Sequence, residues 1–203
     1  MSPRIKSNLT IDQINRMGNV ATYFAENTNE LSKTKLLKLV YLAEELFVKN
    51  HATPFLGVPF YAWQFGPVQR ELWANLDPSL KGSSLISEFV SNEFDGNKYL
   101  VKPLKAFNDD EFSEDEMLIL QHIAQEFKFH DAQHLVFITH KGTSLWHKTV
   151  SKEDGLMERF ESRKQTTSDI ILDFGDLIER KEIRDFYYNQ LEMLDFNNSL
   201  KSA

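Results

Sequence analysis

Four of the chain's six histidines, His130, His134, His140 and His147, stand within residues 129–147, FHDAQHLVFITHKGTSLWH. Imidazole is the commonest metal ligand and titrates nearest neutrality, so the cluster raises metal-assisted or acid–base chemistry. HDAQH sets two imidazoles four residues apart, a spacing that places both on one helix face and is similar to the zinc-binding pattern HExxH. Asp131 stands where that pattern carries Glu, one methylene short of the reach needed to activate a metal-bound water. It is also well suited to cap the helix that follows, which would leave His130 outside that helix and off the face of His134. A metal-dependent hydrolase built on His130, His134 and His140 is therefore the enzymatic alternative. His51 and His122 supply no third ligand at a recognisable interval. Ser144 near His140 and His147 is only sequence adjacency, which is not triad geometry.

The remaining patterns narrow the classes. The sequence holds no GxSxG, GxxxxGK[ST] or GxGxxG, so nucleophile-elbow, phosphate-loop and dinucleotide readings have no anchor, and no cofactor is expected. With no cysteine there is no disulfide, no thiolate zinc site and no cysteine nucleophile. Twenty-three basic against 30 acidic residues leave a formal net charge of −7, the wrong sign for a general nucleic-acid coat. Lys33, Lys35 and Lys38 cluster, but Glu44 and Glu45 follow on the same helix. A DNA-binding repressor or regulatory adaptor is thus a second alternative. The N-terminus lacks the apolar run of a signal peptide and no window reaches the length of a membrane span, so the chain is expected in the cytoplasm.

At 203 residues, 41% hydrophobic and 26% charged, the chain can bury one substantial core. Thr10 opens a capping box, TIDQ, and Ile14, Met17, Ala21 and Phe24 then predict a helix to about residue 26. Ser32 caps KTKLLKLVYLAEELFVKN, whose Leu36, Leu39, Val40, Ala43, Leu46 and Phe47 form a wide apolar face. Residues 52–65 read as an extended loop or short strand. Gly66 and Pro67 predict the start of a third helix, with Pro67 in its first turn and Val68, Leu72 and Leu76 on its buried side. Residues 85–103 predict a hairpin turning on Asp95-Gly96, with Glu93 facing Lys98 and Pro103 ending the second strand. Ser113 and Glu116 form another capping box at the acidic entry to a helix running to Phe127. A short helix over 131–140 follows, ended by Gly142. One or two more helices precede a fraying NNSLKSA. The expected fold is mainly α (α+β), a helical single domain with a small antiparallel β-hairpin.

Two blocks carry more specific information. LSKTKLLKLVYLAEELFVKNHATPFLGVPFYAWQFGPVQREL contains the runs KLLKLVY and WQFGPV, and HLVFITHKGTSLW supplies a Thr-His element followed by Trp. Together they resemble the Panacea, or SocA-like, antitoxin domain of bacterial and phage toxin–antitoxin systems. The resemblance spans residues 8–150, leaving 151–203 as a C-terminal helical extension packed on the same domain. In that family the residue before the final Trp is often proline; here it is Leu145, which leaves the turn before Trp146 less constrained. The resemblance implies an antitoxin that binds a cognate toxin protein, encoded adjacently, and holds it inactive. Its motif residues here are Lys38, Tyr41, Trp63, Gly66, Pro67, Val68, Thr139, His140 and Trp146. Tyr41, Trp63 and Trp146 have the size and polar handle of interface anchors, although such aromatics also serve as core. Gly66 and Pro67 read as structural, and His140 as a hydrogen-bonded bridge between the two blocks.

Overall fold

The computed structural model describes residues 9–77 and 85–201; the domain start expected at residue 8 lies outside them. Helix α1 (Ile11–Asn27) begins at the expected box: the Thr10 hydroxyl accepts from Gln13 N (3.2 Å) and the Gln13 side chain accepts from Thr10 N (3.1 Å). Helix α2 (Lys33–His51) starts on Ser32, whose hydroxyl accepts from Lys35 N at 3.2 Å. Helix α4 (Glu114–Phe127) opens on Ser113 with the reciprocal Glu116 bond, and α5 (Ala132–His140) opens on Asp131, which accepts from His134 N at 2.8 Å. Each cap removes an N–H group that would otherwise lack a partner at a helix start, an effect of about 1 kcal/mol.

The second helix is the centre of the packing. It contacts α1, α4 and α5 and is covered on nearly every side, with Leu36, Leu39, Val40, Tyr41, Ala43 and Val48 fully buried. Burying such aliphatic and aromatic side chains contributes about 1.5–3 kcal/mol each for the larger ones. Even Lys35, Lys38 and Glu44 of this helix are buried, so polarity on α2 marks internal hydrogen bonding rather than a solvated face. Among the described residues the architecture is eight α-helices and two antiparallel strand pairs, a mainly α single domain.

Three local expectations are corrected. Gly66 and Pro67 do not open a helix. They lie in β2 (Gly66–Val68), which pairs with β1 (Tyr61–Trp63) in the register Tyr61↔Val68, Ala62↔Pro67, Trp63↔Gly66. The cause is Gly66, whose φ of +94° turns the chain straight back on Trp63. Helix α3 (Arg70–Asn75) starts four residues after Gly66, capped by the Gln69 side chain, which accepts from Leu72 N. Val68 is therefore a buried strand residue, while Leu72 and Leu76 are buried as expected.

The second strand pair is β3 (Val90–Phe94) with β4 (Tyr99–Pro103), preceded by a 3₁₀ turn over Leu85–Glu88 where strand was expected. Its closing bond runs from Asp95 N to Lys98 O, and Asp95 Oδ1 accepts from both Asn97 N and Lys98 N, at 3.0 Å each. This side-chain turn centres the loop on Gly96-Asn97. Glu93 consequently faces Leu100, and Lys98 pairs instead with Glu30 at 2.7 Å. Finally, the C-terminal segment does not fray at Asn197: after α6 (Leu145–Lys152), α7 (Leu156–Glu161) and a 3₁₀ turn (Phe174–Leu177), helix α8 runs from Lys181 to Lys201. No helix among the described residues is long and apolar enough to cross a membrane.

One close approach inside this packing is testable. A Cβ on Gly18 of α1 would sit 2.5 Å from Phe89 Cδ2 and Cγ, and Phe89 is itself buried. Because the clash is with the base of a packed ring, Gly18→Ala should lower stability by about 1–3 kcal/mol, read from the shift of the urea midpoint.

Candidate functional site

The chain between Trp63 and Pro67 makes a tight turn whose carbonyls must be matched where helices cover them. Three side chains from three helices do so. Lys38 Nζ of α2 donates to Pro67 O (2.8 Å), the His140 ring of α5 bonds Gln64 O through Nε2 (3.0 Å), and Trp146 Nε1 of α6 donates to Trp63 O (2.9 Å). The residues quoted from the two sequence blocks thus meet on one turn, although 83 residues separate Trp63 from Trp146.

Each contributor is itself fixed. His140 Nδ1 faces Val136 O at 2.7 Å, and its ring lies 4.0 Å from that of Trp146. Both ring nitrogens therefore face carbonyl oxygens, and a neutral imidazole, with one N–H, donates to only one at a time. Thr139 turns its hydroxyl back to Leu135 O and Val136 O, both at 3.0 Å. A Cβ on Gly66 would come within 2.9 Å of Thr139 Oγ1 and 3.0 Å of Lys38 Cε and Nζ, so glycine is required there for space as well as for its positive φ. Tyr41 lies outside the clamp, fully buried with ring centroids 5.7 Å from Phe60 and 5.8 Å from Phe174. Burial, then the neighbouring Glu45, pushes its phenol well above the ordinary range.

The histidines separate. Contrary to the expectation that the Asp131 cap would split them, His130 and His134 stack on each other with centroids 4.3 Å apart and planes 29° apart. The turn from α4 into α5, closed by His130 N to Phe127 O, folds the His130 ring back over the first turn of α5. His140 lies six residues beyond His134, about 9 Å along the axis and on a different face. Its nitrogens are engaged by backbone. The proposed trio does not assemble, and among the described residues no group of three or more metal-ligating side chains occurs. Ser144 caps α6, its hydroxyl accepting from His147 N at 3.1 Å.

Several residues of this region escape a reading of spacing. A strand-like run from the C-terminal segment lies along β1: Gln64 N donates to Thr166 O (3.0 Å), Ala62 N to Ile170 O (2.9 Å), and Leu172 N to Phe60 O (2.8 Å). Ser168, Arg70 and Trp73 come beside Trp63 as a result, with the Trp63 and Trp73 rings edge to face at 5.2 Å. Glu44 is fully enclosed and accepts from Phe55 N (3.0 Å) and Leu56 N (2.8 Å), holding the loop after α2. The one sequence signal for it is a pair of carboxylates, Glu44 and Glu45, between Ala43 and Leu46 on an apolar helix.

A family model described as antitoxin SocA-like, Panacea domain, matches residues 36–147, a span that contains all three clamp donors and the turn. No curated protein and no solved structure matches the chain.

The buried charges of α2 generate a pH prediction. Burial pushes the Lys38 ammonium down to about 7. It pushes the Glu44 carboxyl up to about 7, opposed by the Leu56 and Phe55 N–H groups. In the unfolded chain these groups titrate near ~10.4 and ~4.3. From about pH 10.4 down to about 7 the unfolded chain binds a proton at Lys38 that the folded chain does not, so stability falls as pH drops. From about pH 4.3 up to about 7 the folded chain keeps a proton on Glu44 that the unfolded chain has lost, so stability falls as pH rises. Both terms place a dip near neutrality. Lys38→Met should flatten the alkaline limb and Glu44→Gln the acid limb in urea denaturation across pH; limbs unchanged by either substitution would contradict the assignment.

Proposed function

We propose that this chain, which belongs to the SocA-like Panacea antitoxin family, neutralises a partner toxin by direct and stoichiometric protein–protein binding, with no substrate turned over. The family match carries this reading, and it covers the one constellation that the sequence motifs build together. In that constellation Lys38, Gly66, Pro67, Thr139, His140 and Trp146 position a turn. Lys38, His140 and Trp146 do so through bonds to backbone carbonyls.

What the clamp leaves outward is Phe65, in the middle of the turn and 62% exposed. An aromatic side chain on a stiffened turn loses little freedom on association, which is how a small surface gains affinity. On this reading the motif is a platform and Phe65, with the partly buried Trp63 behind it, is the contact. The toxin is expected to be the product of an adjacent gene.

Expressing that product alone should arrest growth, and co-expressing this chain should restore growth and yield a stable complex on purification. Phe65→Asp should weaken the complex by about five-fold or more, the loss of an interface residue costing at least ~1 kcal/mol, while leaving the melting temperature unchanged. If no growth is restored and no complex forms, the antitoxin reading is wrong.

A further inference from the structure

A cleft of about 410 Å³ opens between β1, α3 and the C-terminal segment, walled by Trp63 and Trp73 and edged by Arg70, Thr167, Ser168 and Asp169. Its size lies in the lower part of the range for clefts that hold a small ligand, about 300–1,000 Å³. Trp63 and Trp73 meet at 70°, the edge-to-face geometry that aromatic pairs prefer, and both are only partly buried. The indole surface they leave open would gain from being covered by an apolar group.

The charges around the cleft say what kind of group that is. Arg70 donates to Ser168 O (2.7 Å) and to Asp169, and its guanidinium lies 3.5 Å from the Tyr61 ring centroid. Lys33 stands 4.0 Å from the Trp73 centroid and is paired with Asp77 at 3.1 Å. Trp63 Nε1 donates to Ser168 O at 3.3 Å. Each bordering cation thus has its own carboxylate. An anionic occupant would have to displace Asp169 from Arg70, and a cationic one would have to compete with Arg70 for Asp169. A neutral ring meets neither cost and finds two indoles to pack against.

We infer that this cleft receives a neutral aromatic side chain of the partner, so that partner and antitoxin exchange aromatic anchors: Phe65 outward into the toxin, and one toxin ring inward against the paired Trp63 and Trp73. The inference rests on the antitoxin reading and adds to it the site and chemistry of recognition. Tryptophan and arginine at a cleft are the residue types that dominate binding energy at interfaces, and a buried aromatic ring removes about 150–250 Å² from water. The cleft also joins both parts of the chain. Trp63 and Trp73 lie within the family match, whereas Thr167, Ser168 and Asp169 come from beyond residue 147. Partner choice can therefore be set by the C-terminal segment on a common platform.

The test fills the cleft without removing a core group. Thr167 is exposed, so Thr167→Trp should plug the space while preserving the fold, checked by circular dichroism and melting temperature. Binding of the purified adjacent-gene toxin by calorimetry should weaken about thirty-fold or more, with growth rescue lost. If Thr167→Trp lowers the melting temperature, Trp73→Phe against Trp73→Ala decides, the first retaining binding and the second losing it at equal stability. A folded Thr167→Trp chain that binds within about two-fold of the unaltered one, or Trp73→Ala that binds as tightly as Trp73→Phe, overturns the cleft and leaves the antitoxin reading standing. If the unaltered chain neither binds nor rescues, the antitoxin reading falls and takes the cleft with it.

Discussion

Backbone carbonyls at Trp63, Gln64 and Pro67 sit where helices α2, α5 and α6 converge, and in such a place an acceptor without a donor costs about 1–3 kcal/mol. Lys38 and Trp146 donate to two of them, and His140 meets the third in the tautomer that carries its proton on Nε2. The three donors arrive from helices distant in sequence, so the turn forms fully only when α2, α5 and α6 are docked around it. Conversely, those helices are registered by the same bonds. Gly66 completes the constraint, because a side chain there would collide with Lys38 and Thr139.

The polar interior of α2 follows from the same need. Lys38 and Glu44 are six residues apart on a helix buried on nearly all sides, and neither forms an ion pair with the other among the described contacts; each serves main-chain groups of the segment that follows α2. Lys38 receives the turn at Pro67, and Glu44 receives the loop at Phe55 and Leu56. An irregular stretch of about twenty residues is thereby held by two ionisable side chains placed on a rigid helix. The cost is desolvation, visible in the opposite directions in which burial moves the two pKa values toward neutrality.

Lys38 and His140 of the two sequence blocks are bonded to backbone carbonyls. Around the turn two aromatic side chains are left at least partly exposed: Phe65 at its tip, and Trp63 packed edge to face on Trp73. The C-terminal segment completes that surface by running along β1, which makes residues 166–172 part of the same small sheet edge rather than an appendage.

Helix starts were legible because they are local. Thr10, Ser32, Ser113 and Asp131 each bond an N–H three residues on, and apolar periodicity marks the buried face of each helix that follows. The mainly helical fold and the family resemblance rested on such features and on linear motifs. Tertiary structure alone decided the rest, because the deciding partners are remote. That Gly66-Pro67 turns back as a strand depends on the space left by Lys38 and Thr139. That His140 binds carbonyls instead of joining His130 and His134 depends on Gln64, 76 residues away. That Trp63 and Trp73 wall one cleft depends on Ser168, more than ninety residues along the chain. Sequence spacing specifies which residues share a helix face; which backbone atoms come to lie against that face is set only when the helices pack.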